Sequence, residues 1–211
     1  RGARAALAEA LAGVYRAGAA GLRMTLTGPD RPLQDAVRAM TAARRRADEA
    51  FGVAVTERGP HLDSGLWLSL FQAPNLAHTL VSGIVPRPGQ WAETECGTAL
   101  AAIATHRDRV AVALEETADR LERKTAGPAT APAGGLPAID AMLADCFDRA
   151  LKQGAEPSRD ARRLIAWNAW LAFIDDDIAR ARPDLDRVVA VSQPTAWLRW
   201  SMPGRKAKAG A

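Results

Sequence analysis

Apolar residues recur along this chain at the three-to-four-residue spacing of a helix face, and no segment alternates with the period of a strand. Leu7, Leu11, Val14, Gly18 and Leu22 fall on one stripe and predict a first helix from about Ala3 to Thr25. Gly28-Pro29-Asp30 is a turn, with Asp30 placed to cap a second helix that ends at Gly59-Pro60. That helix carries Leu33, Val37, Met40, Ala47 and Phe51 on one face. Arg44 shares the stripe, while Arg45 and Arg46 point elsewhere.

The third segment, Leu62 to Val85, is apolar on most sides and should be central, with Pro74 kinking or splitting it. Pro86-Arg87-Pro88-Gly89 breaks the chain. A fourth helix should run from about Gln90 to Lys124, with Cys96, Leu100, Ile103, Val110, Leu114 and Leu121 in a seven-residue rhythm that Arg107 and Thr117 interrupt. Ala126 to Gly135 reads as a Pro/Gly/Ala-rich linker. Beyond it, Pro137 to Gln153 predicts a fifth helix through Ile139, Met142, Leu143, Phe147 and Leu151. Ser158 caps a sixth, through Leu164, Trp167, Leu171, Ile174 and Ile178 to about Arg182. Pro183-Asp184 starts a seventh, through Val188 and Val191.

The expectation is an all-α, elongated antiparallel bundle of about seven helices. A long-helix bundle occupies residues 1–126, a linker 127–136, C-terminal helices packed on the bundle 137–202, and a basic disordered tail 203–211. Much of the 48% hydrophobic content is alanine, so sparse large residues on closely approaching helices must build the core. A net charge of +4 permits contact with anionic lipid or nucleic acid but demands neither. The basic residues are mostly arginine, which with the alanine suggests a GC-rich bacterial gene. No apolar run reaches the roughly 20 residues that span a bilayer. Leu66 to Val85, the nearest, is interrupted by Ser69, Gln72, Pro74, Asn75, His78 and Ser82. The chain begins at Arg1 without a signal-peptide pattern and reads as a fragment of a longer polypeptide.

Candidate chemistry is thin. Asp175-Asp176-Asp177 resembles a magnesium-binding acidic motif, but no further acid follows one turn on and no second motif appears. It reads as a solvated acidic face with an Asp176 or Asp177 pair to Arg180. None of His61, His78 and His106 has zinc-ligand spacing, and His106 reads as an exposed polar position. Ser64 and Ser69 lack a nucleophile elbow. Cys96 and Cys146 belong to no ligand motif; they read as buried free thiols of a reducing compartment, with a single bridge as the alternative. Arg44-Arg45-Arg46 and Arg162-Arg163 read as solvated charged faces, and no helix-turn-helix unit supports nucleic-acid binding. Trp197 and Trp200 precede Arg205, Lys206 and Lys208, a combination suited to a membrane surface. No cofactor, metal or catalytic residue is expected.

The segment Ala43 to Gly59, ARRRADEAFGVAVTERG, resembles a soluble portion of the fusaric-acid-resistance-type membrane proteins, relatives of aromatic acid exporters. Bacterial members carry a segment of the form ARRRL-(D/E)-(D/E)-AF…ERG; Ala47 stands here in place of the leucine, and a looser likeness extends through the first four helices. The resemblance implies a helical domain on the cytoplasmic side of the bacterial inner membrane, attached to a small-molecule exporter, and it transfers no catalytic residue. The expected function is therefore non-catalytic: assembly or regulation of a transporter through contacts with its own transmembrane region, other copies of itself or an anionic membrane surface. Arg44, Arg45, Arg46, Trp197, Trp200, Arg205, Lys206 and Lys208 are the candidate contacts. The alternative is the ligand-binding helical domain of a bacterial regulator, with a small apolar ligand held between the Pro-kinked third helix and the Trp167/Trp170 helix.

Overall fold

The computed structural model describes residues 2–26, 30–56, 63–84, 96–122, 136–152 and 159–191. All regular elements among them are helical: α1 (Ala3–Arg23), α2 (Asp30–Thr56), α3 (Ser64–Ser69), α4 (Gln72–Thr79), a π-helical turn (Leu80–Ile84), α5 (Gly97–Leu121), α6 (Leu136–Lys152) and α7 (Arg159–Val191). Taking α3, α4 and the π turn as one broken rod leaves six rods, packed in antiparallel fashion. The Asp30 cap is corrected by one position, since Asp30 is itself the first residue of α2. The turns at Gly28-Pro29, Gly59-Pro60 and Pro86 to Gly89, the linker, His61 and the tail with Trp197, Trp200, Arg205, Lys206 and Lys208 lie outside the described residues.

The stripe on α1 is buried as expected, and α1 packs against α2, α4 and α5. Its seam with α5 is antiparallel. Arg16 donates to Asp119 at 2.8 Å and to Glu122 at 2.9 Å, and Arg23 donates to Glu115 at 2.7 Å. On the far side of the linker, Leu164, Trp167, Leu171, Ile174 and Ile178 of α7 are buried together with Ile139 and Leu143 of α6. These residues and those of α1 to α5 belong to one apolar core.

Two prolines act differently from expectation. The third segment splits at Leu70-Phe71, before Pro74. Pro74 has no N–H for the Leu70 carbonyl, and its ring crowds that group, so α4 restarts with proline in its first turn. The freed carbonyl accepts the Tyr15 hydroxyl at 2.7 Å. Pro183, by contrast, does not start a new helix; α7 runs through it. Pro183 faces solvent, and Ile178, Ala181, Leu185 and Val188 are buried on both sides of it. Their packing offsets the roughly 3 kcal/mol that an interior proline costs.

Four further expectations are corrected. Described α5 begins at Gly97, with Cys96 at its N-cap, rather than near Gln90. Cys96 and Cys146 are buried but not free: they form a disulfide, with Cα atoms 5.5 Å apart, because α6 folds back beside the start of α5. His106 is 1% exposed rather than solvated. The acidic triplet is not a solvated face, since only Asp176 is exposed and Asp177 is buried, while the expected pair of Asp177 with Arg180 is present at 3.4 Å. The interruptions at Arg107 and Thr117 are buried too. Arg107 donates to the Thr25 carbonyl at the end of α1, and Thr117 donates to the Ala113 carbonyl at 2.9 Å, so neither polar group is stranded.

Candidate functional site

A cleft of about 160 Å³ opens between α1, α2 and α4. Val14, Met40 and Pro74 line it with apolar surface, and Thr41, Arg44, Arg45, Asn75 and His78 supply polar groups. The second-helix stripe explains the placement. Met40 points toward α1, where Gly21 leaves room for it: a Cβ there would stand 2.5 Å from the Met40 sulfur. Next to it Thr41, and one turn on Arg44, meet α4, which runs the other way.

Arg44 is held from three sides. Its Nη1 donates to the Asn75 side-chain oxygen, its Nε donates to Asp48 Oδ1 at 2.8 Å, and its guanidinium lies 5.0 Å from the centre of the Phe71 ring. Its charge is thus shared before any ligand arrives. Arg45 is exposed at the cleft and has no ion-pair partner among the described residues. Arg46 is exposed but does not line the cleft.

His78 Nε2 lies 3.3 Å from Thr41 Oγ1. The Thr41 hydroxyl also lies 3.0 Å from the Val37 carbonyl, so its one proton serves the carbonyl or the imidazole according to the ring tautomer. Sequence reading placed His78 only on an apolar segment. Its i, i+3 relation with Asn75 was the available sign that one face of α4 is polar-edged.

The described cleft is not the one expected between the third segment and the Trp167/Trp170 helix. The cleft lies where α4 meets α2, and no residue of α7 lines it. Trp167 is fully buried in the core, and Trp170 stacks edge-on against Phe173, ring centres 6.5 Å apart.

The other candidate residues have structural roles. Asp63 caps α3 by accepting from the Leu66 amide at 3.1 Å, and Ser69 donates to Asp184 at 2.6 Å. Burial raises the pKa of Asp177 against the pull of Arg180; burial and then the Asp176 charge raise that of Asp175. Among the described residues no three His, Cys, Asp or Glu side chains gather to hold a metal ion. Among them, too, no helix is long and apolar enough to cross a membrane.

Comparison of the chain with protein-family models, curated proteins and solved structures finds no match.

Proposed function

We propose that this chain is a non-catalytic helical domain that serves the assembly or regulation of a membrane transporter of the small-molecule, aromatic acid efflux type, through contacts of its helix faces. The observation that carries the reading is the outward surface of α2, the helix on which the resemblance rests. Arg45 and Arg46 are exposed there without ion-pair partners among the described residues, and Val53 and Val55 are exposed further along the same helix. Such a surface suits lipid headgroups or an acidic partner beside a membrane. The resemblance implies the cytoplasmic face of the inner membrane. The Cys96–Cys146 bond favours an oxidising compartment. The redox state of that pair in the cell therefore decides the side.

Flotation of the whole chain with phosphatidylglycerol vesicles tests the surface. Binding should weaken as salt rises and fall in a variant carrying Arg45→Glu and Arg46→Glu. Absent or salt-insensitive binding would remove the membrane contact from the proposal.

The cleft favours a second reading, a ligand-binding helical domain. Apolar surface from three helices with a few converging polar groups is what small-molecule sites offer. Saturable shifts of the His78 ring resonances on titration with small organic acids would support it; unchanged resonances would discard it.

A further inference from the structure

The outer face of α7 is apolar in the middle and charged at both ends. Arg162, Ile165, Ala169, Phe173 and Asp176 recur at helical spacing, and all five are exposed. They stand opposite the buried stripe of Leu164, Leu171, Ile174 and Ile178. Ile165 is 50% exposed and Phe173 58%, a large apolar area to leave in water on one helix. Half-buried Trp170 lies against Phe173 and widens the patch. Arg162 and Asp176 have no ion-pair partner among the described residues, whereas Arg180 on the same helix is paired with Asp177.

The order of these residues has a symmetry. Counting from Ala169, Ile165 and Phe173 lie equally far back and forward, and so do Arg162 and Asp176. Two copies of α7 laid antiparallel about a two-fold axis at Ala169 would set Ile165 of each against Phe173 of the other. The same register sets Arg162 against Asp176 at both ends. A parallel pair would oppose Arg162 to Arg162 and Asp176 to Asp176, which repel. Ala166, Ala169 and Ala172 keep the centre of the face small, so that two helix axes can approach at the short end of the usual 8–10 Å.

We infer that this face of α7 is a self-association surface and that its occupant is α7 of a second copy of the chain, antiparallel and two-fold symmetric. Isologous pairing of one patch with itself is the commonest way that soluble proteins form oligomers. The inference gives a face and an orientation to the self-contact in the transporter-domain reading and rests on that reading for its biological setting alone. Fifteen residues of helix span about 22 Å, less than a standard interface occupies, so the dimer should be weak, with a dissociation constant on the order of tens of micromolar.

Sedimentation of the whole chain over a range of concentrations tests this. Mass should rise from monomer to dimer as concentration rises, and Phe173→Ser should abolish the rise while the helical circular-dichroism spectrum stays unchanged. Arg162→Glu and Asp176→Arg should each weaken association at least tenfold, and the double variant should recover it. A chain that stays monomeric to millimolar concentration overturns the inference. So does a dimer indifferent to Phe173→Ser, or a double variant no better than the singles. Vesicle binding through α2 is read separately, so failure here leaves that result standing.

Discussion

The carbonyl that Pro74 leaves without a donor is the one that Tyr15 reaches, from a different helix and with no exposed surface of its own. Tyr15→Phe should therefore cost about 1–3 kcal/mol in urea unfolding, the price of a buried acceptor left unpaired, while packing is nearly unchanged. An unaltered midpoint would show that the carbonyl finds another donor. Arg107 plays the same part at the end of α1. Its donation to the Thr25 carbonyl sits beside Leu26, which adopts a left-handed conformation with φ 72° and is itself buried. His106 is a different case. Neither ring nitrogen makes a hydrogen bond, and burial, then the charge of Arg109, pushes its pKa down to about 4. The unfolded chain binds this proton near pH 6.5 and the folded one only near 4, so the histidine favours folding above 6.5 and that advantage is lost as pH falls between them. Asp175 and Asp177, whose pKa values are raised, act in the opposite direction. The melting temperature should fall from pH 7 to pH 5 in the native chain and fall less in His106→Leu; equal slopes would assign the loss to other groups.

At the scale of elements, small residues decide how closely helices pack. A Cβ on Gly18 would meet Ala77 and Leu114 at 3.6 and 3.7 Å, ordinary contact distances. Gly18→Ala should stabilise the chain by about 0.5–1 kcal/mol, the helix-propensity difference. Gly21→Ala should gain less than Gly18→Ala, because the flexible end of Met40 must first move out of the space that the new methyl takes. Thermal melts of both variants check the contrast, and a larger gain for Gly21→Ala would contradict the packing. The existence and faces of α1, α2 and α7 were legible in the sequence because large apolar residues recur there at one spacing over many turns. The fate of Pro74 and Pro183 was not, because it depends on what neighbouring helices offer: a tyrosine hydroxyl for one, a continuous buried stripe for the other. Arg44 was legible as a residue on the apolar stripe. The cleft it helps wall was not, since Asn75, Phe71 and His78 reach it only when α4 folds back along α2. The burial of His106 and Asp177 was misread because a polar residue on a helix gives no sign of the second layer that covers it.

In the whole molecule, one core unites the helices before and after the linker, and the disulfide ties α6 to the start of α5. With its cysteines 50 positions apart in sequence, the bridge should contribute about 4 kcal/mol on the chain-entropy model. Alkylation of the denatured, unreduced chain should label no thiol, and reductant should lower the melting temperature; two labelled cysteines would return the pair to the free-thiol reading. Both proposed surfaces stand on this one core, at different places. Hydrogen exchange of the whole oxidised chain, followed helix by helix, tests it most directly. The slowest amides of α1, α5 and α7 should share one opening free energy equal to that of global unfolding. If α6 and α7 instead exchange together at a clearly lower free energy than α1 and α5, the two parts fold separately and the single-core account fails.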